Sequence, residues 1–323
     1  MTVIDFHAHF LEQGVLEQAG PRSVASGFGT RPIEPPPGSR FADIHARMLD
    51  PDLQVEDLDR LGIDRSVVSA SLVVAGTAWA EPPLALALNR RLNDTAADWV
   101  ARHPTRLIGS FTLPLQDLDS SLSELERAVD QLGLRVANLP AQINGLYLGA
   151  PELRPLWDAI ADRGVVAFIH PDGVSDPWFQ DYSLWNSVGQ PIEEAKVLSS
   201  LIYEGVLEQL PALRIVVSHG GGYLPHYFGR LDRNVQNMPD SARNISRRPS
   251  EYLSQLYYDT CLYEPAMLAA LVDRVGAERI VMGSDYPVGE ADPIGFVERC
   301  DALSDADRAA VLGATAARLL ELG

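Results

Sequence analysis

Short runs of β-branched and other apolar residues alternate along the chain with stretches whose apolar residues recur every three or four positions. The first kind reads as buried strands, at Val3–Phe6, Ser66–Ser71, Leu107–Thr112, Gly133–Leu139, Val165–His170, Arg214–Ser218, Leu256–Asp259 and Arg279–Ser284. The second reads as amphipathic helices, among them Leu84–Ala101, Leu118–Leu132 and Pro265–Val275. Strand-helix alternation implies a parallel sheet covered by helices, and eight such units imply a closed (β/α)8 TIM barrel of the α/β class. An open doubly wound sheet is the competing arrangement. Its usual GxGxxG turn after the first strand is replaced here by FHAHFL. A single barrel domain over residues 1–323 is the expectation.

The connection after the first strand interrupts this rhythm. From Leu11 to about Pro51 the chain carries GPRSVASGFGTRPIEPPPGSR, rich in glycine and proline, with Pro35–Pro37 consecutive. An insertion that follows a barrel strand emerges at the C-terminal mouth, where chemistry occurs in this fold. Residues 11–51 are therefore expected to act as a lid.

Composition narrows the function. Among 323 residues, 26 basic and 44 acidic side chains leave a formal charge of -18, while 46% hydrophobic and 22% charged residues suit a soluble globular protein. The acid excess argues against nucleic acid as a partner, because neutralising phosphates needs clustered Lys and Arg. No basic and apolar leader opens the chain, and the longest apolar run, Leu72 to Ala80, is too short to span a membrane. Cys261 and Cys300 are too few for a disulfide framework or a thiolate zinc site. A cytoplasmic enzyme is expected. All basic residues but Lys196 are arginine, so mechanisms needing an amine have one candidate. Lys196 lies in IEEAKVLSSLIYEGVLEQL, an amphipathic pattern in which it reads as a solvated helix-face residue.

Chemistry gathers at the strand ends. His7 and His9 lie at i and i+2 at the end of the first strand, where alternation puts both on one face, the inside of a barrel. Two adjacent imidazoles in a core are costly unless something binds their nitrogens, and a divalent metal does so. His170 ends the fifth strand, His219 ends the sixth, and Asp285 follows the eighth in VMGSDYP. Four of the seven histidines and one aspartate thus converge on one mouth, which reads as a metal site.

IDFHAHF, FIHP, VSHGGGYLPHYFGRLDR, YYDT and VMGSDYP, in that order, resemble the amidohydrolase superfamily over nearly the whole chain. They are most similar to its branch of aminocarboxymuconate-semialdehyde, resorcylate and carboxyvanillate decarboxylases. The resemblance implies that His7, His9, His170 and Asp285 ligate one metal ion and that His219 sits beside it as base or hydrogen-bond partner. It implies that Arg230 reaches the substrate carboxylate of a neighbouring subunit, hence a homodimer or larger homo-oligomer. Relatives with two metals bridge them through a lysine on the fourth strand, which GLRVANL lacks, so a single ion is expected. Several relatives replace the first histidine with Glu and favour manganese. Retention of His7 points to zinc, with Mn2+ as the alternative. The aromatic residue placed over the substrate in the family falls near Trp185, one position out of register with Asn186.

Other residues carry weaker expectations. His45 and Arg47 precede LDPDLQVEDLDRLG, a helix beneath the lid, from which Arg47 could reach substrate. His226 reads as structural or lid-forming, and His103 as a helix C-terminal dipole partner. Asp5 and Asp259 read as hydrogen-bonded supports of the site rather than ligands.

One metal ion with an open position can lower the pKa of bound water to about 7 or polarise a ligated oxygen. The expected activity is metal-dependent nonoxidative decarboxylation, a carbon-carbon lyase reaction, of a small aromatic or muconate-type carboxylic acid, with His219 and Asp285 catalytic. The alternatives are a hydrolase of a lactone or amide and a hydratase on the same mononuclear site. A metal-stabilised binding protein without turnover is disfavoured, because structural zinc sites are closed by four protein ligands.

Overall fold

Eight parallel strands pair in chain order: β1 (Ile4–Phe10), β2 (Arg65–Ala70), β3 (Leu107–Phe111), β4 (Val136–Leu139), β5 (Val166–Ile169), β6 (Arg214–Val217), β7 (Tyr257–Asp259) and β8 (Ile280–Val281). The computed structural model describes residues 2–23, 35–174 and 176–322. The last strand returns to the first. Phe6 N donates to the Met282 carbonyl at 2.8 Å, His9 N donates to the Tyr286 carbonyl at 2.9 Å, and Ala8 bridges Tyr286 in parallel. The sheet is therefore a closed barrel, as its alternation predicts.

Side chains fill its interior. Ile4, Phe6, Val67, Val136, Val166, Phe168, Val216 and Val281 form the inner cluster, and Ala316 and Leu319 of the final helix plug its lower end. The opposite faces of the strands meet the surrounding helices, which include α4 (Pro82–Arg102), α5 (Leu118–Asp130), α6 (Arg154–Asp162), α7 (Gln190–Tyr203), α8 (Gly229–Asn237) and α9 (Pro265–Val275). α4 buries Ala85, Leu88, Leu92, Ala96 and Trp99, the spacing that puts one stripe of a helix on the sheet.

Three differences from expectation bear on the site. β1 runs on through both histidines to Phe10, and its register with β2 shifts between Asp5 and Ala8. That irregularity lets Phe6 and His7, neighbours in sequence, both pack on Phe168, with ring centroids 5.9 and 5.0 Å away. β8 is only two residues long, and Met282 to Pro287 continue as irregular chain over the mouth. The expected lid is not a simple loop, because its described parts fold as α1 (Gln13–Ala19), α2 (Arg40–Leu49) and the start of α3 (Pro51–Leu61). Ser39 and Asp50 cap α2 and α3 with side-chain oxygens on backbone N–H groups. Residues 24–34 of the insertion lie outside the described residues. Among the described residues, no helix is long and apolar enough to cross a membrane.

Candidate metal centre

β1 delivers His7 and His9 to the barrel interior, His170 and His219 leave the ends of β5 and β6, and Asp285 follows β8. The structure brings all five together. Nε2 of His7 and Nε2 of His9 lie 3.1 Å apart, and Oδ1 of Asp285 lies 3.3 Å from the first and 3.0 Å from the second. The His170 ring stands 5.0 Å from each of His7, His9 and His219. His7, His170, His219 and Asp285 offer donor atoms that all lie within 4.8 Å of one another. Asp285 Oδ2 turns the other way, 3.9 Å from Nε2 of His219.

Oxygen acceptors behind three of the four imidazoles fix how they point. Asp259 Oδ2 takes Nδ1 of His7 at 2.6 Å, the Pro171 carbonyl takes Nδ1 of His170 at 2.8 Å, and Glu194 Oε1 takes Nδ1 of His219 at 2.5 Å. An ionised carboxylate or a carbonyl only accepts, so each Nδ1 carries the proton and each Nε2 is left to bind something else. Asp259 is itself held, because its Oδ1 accepts from the backbone N–H groups of Gly220 and Cys261. Glu194 also accepts from the Ser218 hydroxyl at 2.8 Å. Sequence reasoning missed Glu194. It is fully buried on α7, and its only signal was an acidic residue on the inward stripe of IEEAKVL.

The glycines after His219 make this packing feasible. Gly222 has φ +63°, and a Cβ there would sit 2.8 Å from Oε2 of Glu194 and 2.4 Å from the Pro191 carbonyl. His219 and Asp285 themselves have φ +48° and +55°, left-handed values that non-glycine residues rarely adopt. Such strain costs about 1–3 kcal/mol per residue and persists where the surroundings impose it, often at functional sites.

Charge is unevenly shared. Burial works against a charged His7, but Asp285 and Asp259 outweigh it and push its pKa up to about 9. Burial is likewise overcome at His219, which Glu194 and Asp285 hold well above the usual imidazole range. Burial prevails at His170, helped by its three imidazole neighbours, and keeps it well below that range, and it lowers His9 too. At Asp285 burial favours the neutral form, yet His7 and the neighbouring imidazoles hold its pKa well below the carboxylate norm. Convergent Nε2 atoms around an ionised carboxylate are what a divalent cation requires, and the donor set fits one.

The remaining expected residues have varied surroundings. Arg47 is engaged by acids rather than aimed at the cluster: its Nε donates to Asp57 at 2.8 Å and its Nη1 pairs with Asp43 at 2.5 Å. Asp57 also accepts from the Tyr286 hydroxyl at 2.6 Å, which ties the insertion to the residue after Asp285. Trp185 is half-buried in a single π-helical turn before α7. Arg230 is exposed on α8, lining an open groove with Tyr203, Tyr227 and Asn234, and no residue of the metal cluster lines that groove. His103 ends α4 and pairs with Asp52 at 2.6 Å. His226 is half-buried in a short helix, and burial lowers its pKa. Asp5 points to the seam, where it accepts from the Ser284 backbone and hydroxyl and from His7 N, so it braces the closure of the barrel. Lys196 is exposed and pairs with Glu193 at 2.7 Å.

A closed (β/α)8 barrel whose C-terminal mouth gathers four imidazoles and a carboxylate around a place for a cation defines a metal-site barrel enzyme. The amidohydrolase family matches residues 4–322, and the chain belongs to it. It is 33% identical over 289 residues to 2-amino-3-carboxymuconate-6-semialdehyde decarboxylase of Dictyostelium discoideum, covering 88% of this chain and 80% of that one. Among solved structures it is similar to 5-carboxyvanillate decarboxylase from Sphingomonas paucimobilis, with a TM-score of 0.88, 26% identity, and coverage of 100% of this chain and 99% of that one. It is also similar to dihydroxybenzoic acid decarboxylase from Polaromonas sp. JS666, solved with bound manganese and the inhibitor 2-nitroresorcinol. There the TM-score is 0.84 at 25% identity, over 99% of this chain and 97% of that one.

Proposed function

We propose that this protein is a metal-dependent nonoxidative decarboxylase of a small aromatic or muconate-type carboxylic acid. The observation that carries this reading is the divided carboxylate of Asp285, with Oδ1 among the nitrogens of His7 and His9 and Oδ2 turned toward His219. His7, His9, His170 and Asp285 would hold one divalent ion, which when bound supplies a Lewis acid that orients and polarises an oxygen of the substrate. Three imidazoles and one carboxylate suit zinc, and the manganese of the Polaromonas relative makes Mn2+ the alternative.

The proton work falls to the chain. His219, which Glu194 and Asp285 keep protonated, passes a proton to Oδ2 of Asp285, and Asp285 delivers it to the carbon that bears the carboxylate. Glu194 and Ser218 keep His219 turned toward the reacting centre. Once the carbon is protonated, the bond to the carboxylate breaks, its electron pair returns to the conjugated system, and carbon dioxide leaves. A carboxylic acid entering a protein of charge -18 needs local positive help. Arg230 supplies it across a homodimer, consistent with its exposed position on α8, while Trp185 covers the ring. The compartment is the cytoplasm.

The test offers purified metal-loaded protein a panel of hydroxybenzoates and lactones, scoring carbon dioxide against acid release. Carbon dioxide release that disappears in His219→Ala with metal retained is the expected result. Acid release without gas would replace the lyase by a hydrolase.

A further inference from the structure

Across the mouth from the metal centre, over the ends of β2, β3 and β4, lies a cavity of about 20 Å³ lined in part by Thr77, Thr112, Gln116, Asn138 and Asp172. It has room for a single water-sized group. None of the five residues of the metal cluster lines it.

Two side-chain amides line it with fixed orientation. Asn138, on β4 and 1% exposed, donates its Nδ2 to the Ala70 carbonyl at 2.8 Å. Gln116, in the loop after β3, donates its Nε2 to the carbonyls of Thr77 and Ala80 at 2.6 and 3.1 Å. Carbonyl oxygens only accept, so neither amide can be turned end for end without losing these bonds. Asn138 Oδ1 and Gln116 Oε1 are left buried, with no hydrogen-bond partner among the described residues. Buried acceptors of this kind are costly unless a donor reaches them. Thr77 supplies the opposite character. Its hydroxyl oxygen accepts from Asn89 Nδ2 at 2.8 Å, which leaves its own proton available to donate.

We infer that this cavity is a binding site for one small group carrying two O–H or N–H donors and one lone pair. The donors go to Asn138 Oδ1 and Gln116 Oε1, and the lone pair takes the proton of Thr77. A water molecule has this complement, and buried waters make about three such bonds. An amino substituent on a bound aromatic acid has it too. Either guest joins the loops that follow β2 and β3 to the end of β4 and so braces one side of the mouth. As a water site it stands independently of the decarboxylase reading, and as a place for an amino substituent it rests on that reading.

Crystal structures of the free protein, of protein soaked with salicylate and of protein soaked with 3-aminosalicylate test the site and separate its two sources. The expected result is an ordered peak in the free protein within about 2.6–3.2 Å of both amide oxygens. A peak that persists with salicylate and with 3-aminosalicylate identifies an internal water. Replacement of the peak by the amino nitrogen identifies the substituent as a second occupant. Gln116→Met removes one acceptor at similar length and is expected to abolish the peak. Should that variant fail to fold, Thr77→Val removes the donor and poses the same question. No peak in the free protein and no amine in the soaked one, or an undisturbed peak in the folded variant, overturns the inference.

Discussion

Asp259 Oδ2 lies 2.6 Å from Nδ1 of His7, and both residues are fully buried. β7 and β1 are not neighbours in the sheet, so this contact reaches past β8 and fixes one imidazole from outside its own strand pair. Removing such an orienting carboxylate typically costs 10–100-fold in metal affinity. Asp259→Ala is therefore expected to lose metal about 10–100-fold more readily than the parent, read as metal content after dialysis against buffered chelator. Equal retention would show that His7 needs no such support.

Glu194 and His219 form a second pair whose role is separable from metal retention. His219→Ala should lower kcat by about 10²–10⁴-fold with metal content unchanged, the usual scale for a lost acid-base group. Glu194→Ala should follow in the same direction, and Glu194→Gln should recover part of the loss, because an amide oxygen can still accept from Nδ1. Paired kcat and metal measurements decide it. Loss of metal in step with activity would assign these residues to the ligand set instead.

Complete removal of metal should abolish turnover and lower Tm. A ligand held at 1,000 times its Kd stabilises the folded state by about 4 kcal/mol, so the shift should be visible in a thermal melt. Readdition of Zn2+ or Mn2+ should restore both properties. Full activity in protein proven free of metal would exclude the proposed chemistry.

Phe168 lies between the inner core and the site, packing on Phe6, His7 and His170. Phe168→Ala should destabilise the fold by about 3–5 kcal/mol and also weaken metal binding. Trp157, fully buried on α6 with its indole N–H on the Leu148 carbonyl at 2.7 Å, is the control. Its replacement by Ala should cost a similar amount of stability with metal affinity unchanged, as denaturant titration and chelator competition would report.

The barrel was legible because its parallel strands are buried on both faces and so read as apolar runs between helical stripes. β2, β3 and α9 fall within a residue or two of expectation. The five converging residues were legible for the same reason, since strand ends can be located and strand ends share one mouth. The register shift in β1 was not, because it is set by closure against Met282 and Tyr286, hundreds of residues away. The helices α1 and α2 were hidden by the glycines and prolines between them. Glu194 was invisible because amphipathic periodicity identifies an inward stripe and cannot tell which acid on it has found a buried histidine. The pairing of Arg47 with Asp57 was not legible, because helical periodicity does not tell which carboxylate of a neighbouring helix meets its guanidinium.

The seam between β1 and the segment after β8 has a consequence for biosynthesis. His7 and His9 leave the ribosome well before Asp285 and the closing bonds to Met282 and Tyr286, with a separation of 276 residues between His9 and Asp285. A nascent polypeptide thus displays its paired imidazoles without their carboxylate while the intervening residues are made. A cation held by all of these donors together would have to await the closing of the cylinder.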